Sequence, residues 1–259
     1  MAISSIGLRY GAFGLLVGLA IPFFATRPAA APTPAAGPSG GEIQISNEEL
    51  VDRFHRYYYQ SRDRTWNNMR WLGVPTLKMP LDMWIYQEML YEIKPDVLLE
   101  CGTFNGGSAL YFASLMDLLK KGRVITIDIE AKPDMPKHPR IAYLLGSSTS
   151  PEIATEIRRL IKPGETVMVS LDSNHSKGHV LAELRTYASL VSVGSYLVVE
   201  DTNINGHPVF PEFGPGPMEA LNEFLSENKN FVIDKEREKF FVTFNPRGYL
   251  KKVSASTAK

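Results

Sequence analysis

The chain of 259 residues has one cysteine, Cys101, so neither an internal disulfide nor a cysteine-built zinc site is open to it. Cys101 itself stands in the first strand-turn, between Glu100 and Gly102, where packing is the ordinary role of a thiol. Surplus charge is also missing. Lys and Arg number 28 against 28 Asp and Glu, which removes the basic field that a nucleic-acid partner requires. Internal repeats are absent, and the length suits one domain with one good core.

Charge is missing locally as well. Between Arg9 and Arg27 there is none, and Tyr10–Thr26 is apolar and glycine-rich. Those 17 residues would span about 25 Å as a helix, a little short of the roughly 30 Å of a hydrocarbon core. The segment 1–27 therefore reads as a membrane anchor or signal. A cleaved secretory signal is the alternative, with small residues at Ala29 and Ala31, although Pro32 directly after them hinders cleavage. A mis-called start is a third reading. The Ala/Pro/Gly/Ser-rich stretch 28–45 reads as a disordered linker, 46–248 as the folded domain and 249–259 as a flexible basic tail. The expected placement is a membrane-anchored domain facing the cytoplasm.

From Ser46 onward the pattern is that of a folded α/β chain. Helical spacing and caps predict helices over Asn47–Gln60, Leu81–Ile93, Ser108–Leu119, Pro151–Ile161, Lys177–Leu190 and Met218–Glu227. Apolar runs bounded by Gly and Pro predict strands at Val97–Leu99, Val124–Ile127, Ile141–Leu145, Val167–Leu171 and Tyr196–Val199, with a final pair at Phe231–Ile233 and Phe240–Phe244. Alternation of this kind makes a doubly wound, mostly parallel sheet of seven strands, Rossmann-like, covered on both faces. The final pair is joined too tightly for a crossover, so the last strand is antiparallel.

In such a sheet ligands lie beyond the carboxyl ends of the strands. The first strand end reads Glu100-Cys101-Gly102-Thr103-Phe104-Asn105-Gly106-Gly107-Ser108. A pyrophosphate cradle needs G-x-G-x-x-G, and this looser turn after an acid suits a phosphate-free cofactor with a cationic amino-acid moiety, S-adenosylmethionine. Asp128, ending the second strand, can take two ribose hydroxyls. The third offers Ser147 and Ser148, suited to an adenine edge, and Ser150 as a helix cap. The fourth and fifth end in Asp172-Ser173-Asn174-His175 and Glu200-Asp201-Thr202-Asn203. Three converging carboxylates, Asp172, Glu200 and Asp201, ask for a neutralising cation, and an oxygen-only set suits Mg²⁺; separate solvated loop acids are the plainer alternative. His175 and His179 are spaced for a metal pair but lack a catalytic glutamate.

Four stretches resemble the cephalosporin hydroxylase/rhamnosyl O-methyltransferase family: Trp71-Leu72-Gly73-Val74-Pro75, Pro80 to Glu88, Asp172 to Val180, and Val199 to Pro208 continuing through Phe213 to Pro217. The layout also resembles the magnesium-dependent catechol O-methyltransferases and the class I methyltransferase fold. The resemblance implies methyl transfer from S-adenosylmethionine, assisted by Mg²⁺, to a hydroxyl of a small molecule, glycan or glycolipid, a sugar such as rhamnose among them. By it the cofactor shell comprises Glu100, Gly102, Thr103, Phe104, Asn105, Gly106 and Ser108, then Asp128, Ser147, Ser148 and Asp172; the metal ligands are Asp172, Glu200 and Asp201. Where the catechol enzymes carry a lysine base, this chain has His175, so the base stays open between His175 and Lys177. The loop 203–217 and the segment 71–84 are expected to wall the acceptor pocket, the latter as a lid. Rival readings are a non-catalytic tethered cofactor-binding domain and an oxidoreductase; a homo-oligomer stays open.

Overall fold

The computed structural model describes residues 45–255. Its centre is a seven-stranded sheet of β1 (Val97–Cys101), β2 (Arg123–Asp128), β3 (Ile141–Leu145), β4 (Val167–Leu171), β5 (Tyr196–Val199), β6 (Phe231–Ile233) and β7 (Tyr249–Lys252). The spatial order is β3-β2-β1-β4-β5-β7-β6. The five strands β1–β5 pair in parallel, while β7 runs antiparallel to both β5 and β6. The doubly wound architecture with an antiparallel last strand is as expected. Its order reverses between β1 and β4, the position at which such sheets open a ligand crevice.

Every residue of β1, β4 and β5 is buried, as a strand covered on both faces must be. Strand alternation divides the core. Leu99, Ile125, Val169 and Leu197 pack with α4 (Pro151–Leu160), α5 (Lys177–Tyr187) and α6 (Pro217–Glu227). Leu98, Val124, Met168 and Val198 pack with α2 (Pro80–Ile93) and α3 (Gly107–Leu119) on the other face. A third cluster, with Tyr59 of α1 (Asn47–Gln60), Ile204, Val209 and Phe244, lies apart from both.

Two expectations need correction. The segment 240–244 is no strand: Val242 and Phe244 are buried in the third cluster while Phe241 is 80% exposed. The last strand lies instead at Tyr249–Lys252, inside the expected flexible tail. Its basic ending disguised it, because Lys252 is buried with its ammonium donating to the carbonyls of Ala188 (3.0 Å) and Val191 (2.8 Å) beyond α5. A lysine at the carbonyl-rich end of a helix is favourably placed against the helix dipole.

The expected membrane placement is also corrected. Among the described residues no helix is long and apolar enough to cross a membrane. Helices α1 and α2, at 14 residues, reach only about 21 Å, against roughly 30 Å of hydrocarbon. The segment 10–26, on which the anchor reading rested, lies outside the described residues.

Helix α2 begins with Pro80 at its first position, where the missing N–H costs nothing. One turn in, the buried Asp82 accepts from the Phe244 amide (2.8 Å) and the Tyr249 hydroxyl (2.9 Å), tying the helix to the last strand and the aromatic loop before it. Burial pushes the Asp82 carboxyl up to about 7, against the pull of those donors. The folded state thus holds a proton that the unfolded chain releases near pH 4. Stability contributed by this group is complete below about pH 4 and lost as pH rises toward 7. Asp82→Asn should therefore gain on the wild type by about 2–4 kcal/mol across that interval. Urea unfolding of both proteins at several pH values is the measurement, and parallel curves would remove Asp82 from the account.

Candidate active site

The carboxyl ends of β1–β5 open into one cavity of about 770 Å³, within the size range of small-molecule sites. All the cofactor residues expected from the sequence line it except Glu100 and Gly106. The turn after β1 is set by Gly102, whose φ of 101° favours glycine. A Cβ there would sit 1.9 Å from the Asp172 carbonyl oxygen, so the turns after β1 and β4 touch through their backbones. The Asp172 amide also donates to the Cys101 carbonyl at 2.8 Å.

Asp128 is held by two amides, Phe104 N–H to Oδ2 (2.8 Å) and Glu130 N–H to Oδ1 (3.1 Å). Each oxygen keeps a further lone pair for a diol. Gly106 has a different task. It caps α3 in the left-handed region at φ 75°, and a Cβ would press on Pro136.

Glu100 lies beneath the floor rather than in it. Alternation on β1 turns it to the α2–α3 face, where Oε2 accepts from Thr126 (2.7 Å) and Oε1 is buried without a partner. Burial raises its carboxyl to about 7 although Lys78 pulls the other way. Ser170 on β4, in register with Glu100, and Glu200 just past β5 continue this buried polar row.

Glu200 therefore does not join the expected metal triad. Its Oε1 accepts from Lys78 Nζ (2.6 Å), which reaches it from the cavity wall, and from Tyr86 (2.7 Å) and Ser170 (2.8 Å) beneath the cavity. The cause is local: Glu200 continues the strand's alternation onto the α2 face, whereas Asp201 adopts φ 53° and turns into the cavity. Non-glycine residues seldom take that conformation, and functional sites hold many of those that do. The Asn245 side chain secures the turn by accepting from the Asp201 amide at 3.0 Å.

The groups that do converge are Asp172, His175 and Asp201, each with one potential ligand atom within 4.8 Å of the others. His175 Nε2 is 3.2 Å from Asp201 Oδ2. Burial holds Asp172 and Asp201 above the ordinary carboxylate range; the Glu200 charge adds to this, while Lys78 pulls Asp172 down and His175 pulls Asp201 down. Two carboxylates raised in this way form a donor set that a hard divalent cation would relieve.

Lys177, the other expected base, does not reach the cavity. It starts α5 and pairs with Glu223 at 2.8 Å on the outer surface. Lys78 was not foreseen. It is 3% exposed and bridges Asp172 Oδ2 (2.7 Å) to Glu200 Oε1 (2.6 Å). Burial opposes its charge, but the surrounding carboxylates outweigh that and keep it protonated. The one sequence signal was its isolation, a lone charge between Thr76-Leu77 and Met79-Pro80.

The remaining wall is aromatic: Tyr59, Trp66, Phe210, Phe213 and Phe244. The expected loop contributes Ile204 and two of these rings. Of the segment 71–84 only Pro75–Lys78 lines the cavity; Trp71 packs edge-on against Tyr111 and Trp84 is exposed.

Known proteins share this chain's sequence pattern and fold. The family model described as Rhamnosyl O-methyltransferase/CmcI matches residues 63–253. A protein named rhamnosyl O-methyltransferase from Mycobacterium tuberculosis (strain ATCC 25618 / H37Rv) is 42% identical over 212 residues, covering 79% of this chain and 85% of its own. Its namesake in Mycobacterium leprae (strain TN) is 41% identical over 217 residues, covering 81% and 93%. A solved structure described as cmcI-D160 Mg-SAM superposes with a TM-score of 0.56 at 21% identity, over 73% of this chain and 78% of that one, a likeness of fold.

Proposed function

The chain belongs to the rhamnosyl O-methyltransferase/CmcI family and is an S-adenosylmethionine-dependent O-methyltransferase, and we propose that its acceptor is a sugar hydroxyl, on a rhamnosyl unit of a glycan or glycolipid. The observation that carries this reading is the division of one cavity into two unlike halves. On one side stand Asp128, Ser148 and the Gly102 turn, the furniture of a nucleoside with an amino-acid tail. On the other, Asp172, His175 and Asp201 face an aromatic wall. Aromatic faces suit the C–H surface of a sugar, and a 6-deoxy sugar offers more of that surface than one bearing a hydroxymethyl group. The names of the mycobacterial relatives point to the same acceptor.

The donor set fits Mg²⁺, with Asp172 and Asp201 as the protein ligands and Glu200 behind them as a charge that Lys78 balances. When bound, the ion supplies positive charge that favours the ionised acceptor hydroxyl; the sulfonium cofactor supplies the methyl group. The protein's own share is orientation and proton removal. Asp128 fixes the ribose, the backbone contact between Gly102 and Asp172 sets the spacing of the two halves, and His175 stands where it can take the hydroxyl proton.

Titration calorimetry with S-adenosylmethionine, with and without Mg²⁺, followed by labelled methyl transfer to alkyl rhamnosides and glucosides, tests the reading. Cofactor binding and transfer to the rhamnoside are expected. Absence of cofactor binding would overturn the whole reading, and preference for the glucoside would overturn the acceptor. In the same assay Asp128→Ala should weaken cofactor binding by about 1.5–3 kcal/mol, the range for hydrogen bonds to a charged group. An unchanged affinity would place the ribose elsewhere.

A further inference from the structure

Glu183, on α5, is fully buried and stands just behind the cavity wall. Its Oε1 accepts hydrogen bonds from two hydroxyls that line the cavity, Ser148 and Ser173, the latter at 2.6 Å. Its Oε2 is buried without a partner. His179 completes the group, with Nε2 3.1 Å from Ser148 Oγ and 3.4 Å from Glu183 Oε1.

A hydroxyl has one proton to give and lone pairs with which to accept, whereas a carboxylate only accepts. Since Glu183 takes the proton of both serines, neither hydroxyl has one left for a ligand. The contact between His179 and Ser148 must then be a donation from Nε2–H to the oxygen. What Ser148 and Ser173 offer the cavity is acceptor capacity alone.

We infer that Glu183 is a specificity-determining positioning residue: by committing the protons of Ser148 and Ser173 it makes this edge of the cavity select a purine carrying a 6-amino group and reject one carrying a 6-oxo group. The inference rests on the S-adenosylmethionine reading of the cavity. An adenine amino group donates to these oxygens. A hypoxanthine carbonyl would face lone pairs, and an unmet buried acceptor is costly.

The test is calorimetric binding of S-adenosylhomocysteine and its deaminated analogue S-inosylhomocysteine to the full chain. Wild type should prefer the adenosyl compound roughly 10²-fold, the order expected when a buried polar pair is left unmet. In Glu183→Gln the side-chain amide can donate to a serine and free its proton, so the preference should fall at least tenfold. A general loosening of the site would weaken both ligands together and leave the ratio unmoved. An unchanged ratio in folded Glu183→Gln, or equal binding of both compounds by wild type, overturns the inference. Binding of neither compound by wild type overturns the cofactor reading instead. Should Glu183→Gln fail to fold, Ser148→Ala decides: losing the acceptor must reduce the preference, and a ratio equal to wild type counts against the proposal.

Discussion

Asp201→Asn should abolish magnesium-dependent methyl transfer, with a loss on the order of 10³-fold or more, the scale of removing several kcal/mol of charge stabilisation. Asp201 is the informative choice among the acids. Asp172 also pairs with Lys78, so its replacement would leave that buried ammonium with Glu200 alone and confuse stability with chemistry. Asp201 is tied to its surroundings through its backbone, the amide bonded to Asn245, and that bond survives the substitution. Its carboxylate is spent only on the cavity and on His175. S-adenosylhomocysteine affinity should stay essentially unchanged, while Mn²⁺ binding, read by electron paramagnetic resonance as a proxy for Mg²⁺, should be lost. Retained Mn²⁺ affinity in the variant, or full wild-type turnover in saturating chelator, would refute the assignment.

His175→Ala should slow single-turnover methyl transfer by roughly 10²–10⁴-fold, the usual contribution of a positioned base. The geometry supports this role over that of a third metal ligand. Mg²⁺ prefers oxygen donors, and the His175 ring is held by Asp201 on one edge of the cavity. Lys177→Ala should leave the rate close to wild type, because its ammonium is engaged by Glu223 outside the cavity. Rapid-quench measurement of both variants, with cofactor affinity measured in parallel, settles the point. A dead Lys177 variant would require α5 to begin differently from the helix described, and an undiminished His175 variant would leave proton removal to solvent.

How legible this molecule was depends on the range of the interaction concerned. Periodicity and Gly/Pro punctuation act locally, and they located β1–β6 and the six helices with errors of a few residues. They failed at Tyr249–Lys252, where buried Lys252 finds its partners beyond α5, more than sixty residues away in sequence. The turns after β1, β2 and β3 were readable because each cavity residue follows its own strand. Past β5 the same logic put Glu200 in the metal set, since strand alternation is visible in sequence and the left-handed turn at Asp201 is not. Lys78 was out of reach for the opposite reason. It comes from a strap before α2, and its partner Asp172 is 94 positions away. Glu183 belongs to no motif read from the sequence; only the packed fold shows it facing inward.

The backbone contact at Gly102 has a consequence for how such a site diversifies. The half of the cavity that would carry the methyl donor is welded to the acid-bearing turn by main-chain atoms, with Asp172 O where a Cβ would be. The opposite wall is assembled from side chains of three remote stretches, around Tyr59, Ile204 and Phe244, packed in an apolar cluster of their own. Exchanging those rings alters the shape of the guest without disturbing the distance over which the group is passed. A lineage built on this plan can therefore drift from one acceptor to another by ordinary point mutation while inheriting its transfer geometry intact.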